Sequence, residues 1–322
     1  MGIIEQAAQR LEELRRSGID VPRHAVPKGP AATGTATGDL PARAANRVEN
    51  IRRSSSPPNV RPQQTTAGQS PEPVSAPSRA VRVEIDLARL DAMGFVTPQV
   101  PRSQIADEFR VVKRQLLANL DGKAAVPVRN ANLIMVTSAL PSEGKTFVSI
   151  NLAISLSMEL DKKVLLVDAD VARPSVMSRL GIDRSAGFLD VLADPAHDMS
   201  KFLLRTNIDT LTMLPAGQPR PLATEMIASE TAIGLLVEMA GRYPDRIIVF
   251  DAPPLLPSTE SRVLATHMGQ VILVVAAEQT PQKTVMQALA AIQACPVVLP
   301  LLNKASYSEV GTFYGYYGPM ER

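Results

Sequence analysis

Gly144-Lys145-Thr146 closes the segment TSALPSEGKT, which follows the apolar run ANLIMVT at 131–137. A glycine, a lysine and a hydroxyl at a strand-to-helix junction are the residue types that grip a chain of phosphates. The backbone N–H groups of Ser142, Glu143, Gly144, Lys145, Thr146 and Phe147 would converge on phosphate oxygens, and Gly144 lets the backbone come close. Lys145 would reach the β- and γ-phosphates, and the Thr146 hydroxyl would ligate Mg²⁺.

Two further stretches end in acids. VLLVDADVARPS (164–175) presents Asp168, Asp170 and Arg173, and IIVFDAPPLLPS (247–258) presents Asp251. Acids at the carboxyl ends of parallel strands face the crevice where ligands of such sheets bind. One can hold the shell of a Mg²⁺ while another accepts a proton from an attacking hydroxyl. Each acid alone is equally a helix cap or a turn former. Together, beside a GKT loop, they point to a nucleotide site.

Such residues work only if the elements around them bring them together. Apolar runs at 131–137, 163–170, 211–215, 246–253, 270–277 and 296–303 read as buried strands, and 145–160, 222–240 and 281–294 read as helices. Strands alternating with crossover helices predict an α/β fold, a P-loop NTPase-like and mostly parallel sheet with helices on both faces. A further amphipathic helix is expected at 103–119, and 81–98 regains apolar content where the chain docks on the body.

Residues 21–80 are rich in Pro, Ser, Thr, Ala and Gly, with almost no aliphatic periodicity. That composition cannot bury enough apolar surface to offset the entropy of ordering, so a disordered linker is expected. Residues 1–20 carry Ile3, Ile4, Ala7, Leu11 and Leu14 at helical spacing. Glu5, Glu12 and Glu13 balance Arg10, Arg15 and Arg16, which suits docking to a protein better than a basic membrane-surface helix. A short, fraying terminal helix is the alternative.

The 322 residues are 45% hydrophobic, ample for one sizeable core, and carry a net charge of +2. That near-balance argues against a nucleic-acid partner. Cys295 is the sole cysteine, so no intramolecular disulfide can form and a reducing compartment is expected. With three histidines besides, a zinc site is not expected. The opening residues lack a secretory apolar core, and runs such as 271–277 are far short of the ~20 residues that span a bilayer. A cytoplasmic protein is expected, recruited to the inner face of the membrane by a partner.

Of five tyrosines, Tyr307, Tyr314, Tyr316 and Tyr317 crowd into residues 307–322. With the nucleotide motifs, this clustering gains a meaning. TSALPSEGKTF resembles a Walker A loop with Ala139 in the first glycine position, and LLVDADVARP and IIVFDAPP resemble Walker A′ and Walker B. In that combination the chain resembles the bacterial tyrosine kinases, P-loop proteins that phosphorylate tyrosines in their own C-terminal tails. EFRVVKRQLLANL, the text at 241–251 and LNKASYSEVGTFYGYYG look closer still to the exosortase-associated tyrosine autokinases, encoded with exopolysaccharide machinery.

The resemblance covers about 100–318 plus the N-terminal helix, and it implies roles for residues. Lys145 and the loop amides would hold ATP, and Thr146 and Asp251 would organise Mg²⁺ directly or through water. Asp168 would deprotonate or orient the incoming tyrosine hydroxyl, and Asp170 would support metal and base. Arg173 would contact phosphate or acceptor. Tyr307, Tyr314, Tyr316 and Tyr317 would be the phosphoacceptors.

Related kinases form rings through a helix motif matched here by Asp107, Arg110, Lys113 and Arg114, one tail entering a neighbour's site. Asp and Lys stand where Glu and Arg are commoner. The resemblance also implies a membrane-spanning polysaccharide co-polymerase as activator. The expected organisation is a helix (1–20), a linker (21–80), a kinase domain (81–303) and a tyrosine-rich tail (304–322). Asn303 and Lys304 end the last strand, where related folds read the base, although an asparagine there is equally a turn former.

Two other classes stay open. A ParA/MinD-like ATPase switch shares the fold and the strand-end acids, but such proteins carry an extra loop lysine where Leu140 stands. A non-catalytic nucleotide-binding regulator of a polysaccharide-export complex is the other. The intact Lys145, Thr146, Asp168, Asp170 and Asp251 count against it.

Overall fold

The computed structural model describes residues 81–123, 126–194, 198–242 and 246–305. The expected N-terminal helix, the linker and the four tail tyrosines lie outside these residues. The strands are β1 (Leu133–Ser138), β2 (Lys163–Asp168), β3 (Leu204–Arg205), β4 (Leu211–Leu214), β5 (Arg246–Asp251), β6 (Gln270–Ala276) and β7 (Val297–Asn303). They form a seven-stranded sheet in the order β3-β4-β2-β5-β1-β6-β7. Every pairing is parallel except that of β3 with β4.

Sequence dictates which side chain goes to which face. Along the central strands Ile134, Val136, Val164, Leu166, Ile247 and Val249 enter one core cluster. Their neighbours Leu133, Met135, Leu165, Val167, Ile248 and Phe250 enter the other. The period of two thus feeds both faces, which is why these strands read as continuous apolar runs.

Against the first face pack α1 (Leu87–Ala92), α2 (Gln104–Leu120), α3 (Lys145–Ser157) and α4 (Val176–Leu180). On the second lie α5 (Phe188–Ala193), α6 (Ala223–Ile227), α7 (Glu230–Arg242), α8 (Thr259–Thr266) and α9 (Gln282–Ala291). The expected parallel sheet with helices on both faces is what the chain forms.

Residues 81–98 pack onto the body through buried Ile85, Leu90, Phe95 and Val96. Asn151 in α3 accepts the Val96 N–H at 2.6 Å, and Asn207 takes up the Ile85 N–H at 3.0 Å. α3 is buried nearly all round, from Val148 to Ser157, as expected of a helix between a sheet and an outer layer.

Two expectations change. The run 296–303 was expected to be buried, but β7 is the sheet edge, with Leu302 64% exposed. Pro300 sits in mid-strand, which an edge tolerates because it asks for no N–H on the open side. The helix expected over 222–240 is two, because Ser229 accepts the Ala232 N–H at 3.3 Å and starts a new helix. β3 and the short helices α4, α5 and α8 carry too few residues for a periodic signal.

Candidate nucleotide site

β1 ends at Ser138 and α3 begins at Lys145, so 139–144 is the loop between them. Gly144 has φ +100°, a region that side-chain-bearing residues rarely adopt, and a Cβ there would collide with Asn303 Nδ2. The first bond into the helix runs from Val148 N–H to Gly144 O at 3.0 Å. The N–H groups of Lys145, Thr146 and Phe147 therefore have no backbone acceptor among the described residues. Free N–H groups at the positive end of a helix dipole are what an anionic phosphate needs.

The loop is braced from behind. The buried Glu143 carboxylate accepts the Leu140 N–H at 2.6 Å and the Thr280 hydroxyl, fixing the loop to the segment after β6. Asn303 Nδ2 donates to Glu143 O at 2.8 Å, and Lys304 Nζ donates to Ser142 O at 2.8 Å. The end of β7 thus clasps the loop's carbonyls.

The acids gather in front. Asp168 and Asp251 are register partners at the ends of β2 and β5. Asp251 accepts the Thr146 hydroxyl at 2.7 Å and the Ser149 hydroxyl at 2.9 Å. Lys145 Nζ donates to Asp170 Oδ2 at 2.6 Å, and Asp170 Oδ1 accepts the Arg173 N–H at 3.1 Å. Asp168 Oδ2 accepts the Val176 N–H at 3.1 Å, while its Oδ1 is buried with no hydrogen-bond partner.

Burial, then the charges of Asp251 and Asp170, push the Asp168 carboxyl well above the ordinary range. Burial also raises Asp251, against the pull of Lys145 and the Thr146 and Ser149 hydroxyls. Burial opposes the Lys145 charge, but Asp251, Asp170 and Asp168 outweigh it and raise its pKa.

Among the described residues no group of three or more His, Cys, Asp or Glu could hold a metal by itself. The Thr146 hydroxyl, Asp251 and the partnerless Asp168 Oδ1 are nevertheless hard oxygen donors. They fit Mg²⁺, which is bound through one or two carboxylates together with substrate phosphates.

The structure brings Ser142, Glu143, Gly144, Lys145, Thr146, Asp168, Asp170 and Asp251 to one place. Phe147 joins by its N–H alone, since its ring packs on Phe95 with centroids 4.8 Å apart. Arg173 is exposed and tied in by its backbone N–H. Asn303 arrives too, but with its amide committed to Glu143 O. Leu140 has its N–H held by Glu143.

On α2, Arg110 pairs with Asp107 and Arg114 is exposed. Lys113, expected on the same assembly face, is instead buried and bonded to Ser155 O at 2.8 Å and Glu159 at 2.7 Å. A cation is favoured there because Ser155 lies in the last turn of α3, where carbonyls lack helical partners. Ser149, Ser175, whose hydroxyl lies 2.9 Å from that of Thr146, and Thr280 are contributors to the site that motif reading missed. Ser149 alone had a local signal, three residues after Thr146 on the same helix face.

Loop, helix start and strand-end acids define a P-loop nucleotide-binding domain. The chain belongs to the AAA domain family, which matches residues 132–298. The tyrosine-protein kinase YwqD of Bacillus subtilis (strain 168) is 28% identical over 221 residues, 68% of this chain and 88% of YwqD. The succinoglycan biosynthesis transport protein ExoP of Rhizobium meliloti (strain 1021) is 27% identical over 240 residues, 72% of this chain but 29% of ExoP.

Among solved structures, the kinase domain of the Escherichia coli tyrosine kinase ETK superposes with a TM-score of 0.55 at 23% identity, covering 66% of this chain and 84% of that one. That likeness is one of fold. The expected kinship with bacterial tyrosine kinases holds, and these relatives do not bear on the exosortase-associated branch. No helix among the described residues is long and apolar enough to cross a membrane.

Proposed function

We propose that this chain is an ATP-dependent protein-tyrosine autokinase that phosphorylates its own C-terminal tyrosines and regulates exopolysaccharide synthesis or export. The observation that carries this reading is the convergence of Lys145, Thr146, Asp168, Asp170 and Asp251 on one braced loop. Kinship with YwqD supports the chemistry, and kinship with ExoP supports the setting.

The free N–H groups of Lys145, Thr146 and Phe147 bind the phosphates of ATP, and Lys145 exchanges Asp170 for phosphate oxygens. Thr146 and Asp251 would hold Mg²⁺, which would supply charge neutralisation for the phosphoryl group in transfer. Asp168, with a raised pKa and one oxygen unengaged, would orient a tyrosine hydroxyl and take its proton. Tyr307, Tyr314, Tyr316 and Tyr317 are the acceptors, offered by one subunit to another. Asp107, Arg110 and Arg114 would serve that assembly. A co-polymerase spanning the membrane would recruit and activate the kinase at the cytoplasmic face.

Incubation of the full chain with γ-labelled ATP and Mg²⁺, with and without the cytoplasmic part of such a co-polymerase, tests the reading. Label should appear on tyrosine and vanish in Lys145→Met. Hydrolysis of ATP without labelling, with the partner present, would make the protein an ATPase switch instead.

A further inference from the structure

Ser175 holds the N-cap position of α4, where a serine hydroxyl ordinarily accepts an N–H of the first helical turn, yet it makes no capping bond. Asp168 takes up the first N–H of that helix instead, its Oδ2 accepting from Val176 at 3.1 Å. The Ser175 hydroxyl lies 2.9 Å from that of Thr146, at the start of α3. It is withheld from its own helix and given to the phosphate loop.

The sequence between β2 and α4 brings it there. After Asp168 the chain turns, with the Arg173 N–H bonded to both the backbone carbonyl and Oδ1 of Asp170 at 3.1 Å. Pro174 disfavours helix in the residue before it, so α4 begins only past this point. Ser175 is thereby returned to the phosphate loop beside the strand-end acids.

The direction of the Ser175–Thr146 bond follows from the protons. An ionised carboxylate only accepts, so the Thr146 hydroxyl, 2.7 Å from Asp251 Oδ2, gives its proton to Asp251. The hydrogen between Thr146 and Ser175 is therefore the serine's. A hydroxyl oxygen has two lone pairs; Ser175 fills one, and one remains for a cation. The Thr146 hydroxyl is thus pinned twice, by Asp251 through its proton and by Ser175 through a lone pair. Asp251 is itself fixed, its Oδ1 accepting the Ser149 hydroxyl at 2.9 Å.

We infer that Ser175 is a positioning residue for Mg²⁺, acting through Thr146 to leave a single, oriented lone pair for the cation. The inference rests on the nucleotide site proposed above and is indifferent to whether tyrosine or water receives the phosphoryl group. Loss of a group that orients a metal's ligand typically costs about 10–100-fold in metal affinity. One hydrogen bond between neutral hydroxyls, on a half-buried residue, belongs at the lower end of that range.

The test measures the affinity of the full chain for ADP by calorimetry, once with Mg²⁺ and once in EDTA. Ser175→Ala should weaken binding about tenfold with Mg²⁺ and leave it unchanged in EDTA. Ser175→Thr, which keeps the hydroxyl, should match the parent in both. Titration of Mg²⁺ into the ADP-saturated proteins should show the same order directly. Equal weakening with and without Mg²⁺ would make Ser175 a structural residue and overturn the inference. So would Ser175→Ala with the parent's full response to Mg²⁺, or Ser175→Thr as weak as Ser175→Ala. A parent whose ADP binding ignores Mg²⁺ would overturn the nucleotide site itself, and this inference with it.

Discussion

Asp168 and Asp251 stand opposite each other in register at the last positions of β2 and β5. Parity along the strands sends both toward α3, which satisfies only Asp251, through Thr146 and Ser149. Asp168 keeps a buried oxygen with no partner. Burial and the adjacent Asp251 charge push the Asp168 carboxyl up, and a fold shaped for stability alone would not place it so.

Asp168→Asn should separate these two demands. The asparagine carbonyl can still accept the Val176 N–H, and the repulsion from Asp251 disappears. We expect a melting temperature at neutral pH no lower than the parent's, with phosphoryl transfer reduced about 10²-fold or more. Thermal unfolding and initial rates measure both. A melting temperature several degrees lower would make the charge structural.

Lys145→Met should do the opposite to stability. It leaves Asp170, Asp168 and Asp251 buried without their cation, and removal of one member of a buried pair costs about 3–5 kcal/mol. Denaturant unfolding without nucleotide should show a loss of that order, and calorimetry should show ATP binding gone. An unchanged midpoint would mean that the ion pair contributes nothing to the fold.

Much of this site was legible because its signals are local. The GKT loop and the acids ending LLVD and IIVFD are short patterns whose place in a parallel sheet follows from alternating strands and helices. The brace was not legible. Glu143 meets Thr280 across 137 positions and Asn303 across 160, contacts that only the folded sheet creates. The family resemblance put Lys113 with Arg110 and Arg114, but the carbonyl of Ser155 draws it inward. β7 read as buried because apolar content does not reveal which strand is last in the sheet.

Asn303→Ala tests whether this residue positions the loop or reads the base. Its amide is spent on Glu143 O, so its loss should loosen the loop and weaken ATP and GTP alike, about tenfold, with their ratio preserved. Competition binding measures the ratio. A selective loss of ATP would return Asn303 to base recognition.

Asp190 supplies a pH-dependent clamp away from the chemistry. It accepts N–H groups from Gly187 at 2.9 Å and Gln218 at 3.1 Å, and pairs with Arg220 at 2.9 Å. Burial alone would raise its pKa, but Arg220 and the two N–H groups outweigh burial and hold it below the usual carboxylate range. A lowered folded pKa gives stability that is present above the unfolded value, about 3.9, and lost as pH falls through the folded one. Asp190→Asn should therefore cost about 1–2 kcal/mol at pH 7, with the gap to the parent narrowing below about pH 4. Urea midpoints across that range check it. A gap independent of pH would contradict the clamp.

The most direct measurement is intact mass after incubation with ATP and Mg²⁺, with peptide mapping of residues 305–322, in the presence of the co-polymerase's cytoplasmic part. We expect mass added in steps of one phosphate, confined to that segment. It should be absent from Lys145→Met and from the variant with Tyr307, Tyr314, Tyr316 and Tyr317 all changed to Phe. ATP consumed while the tail stays unmodified would contradict the autokinase reading.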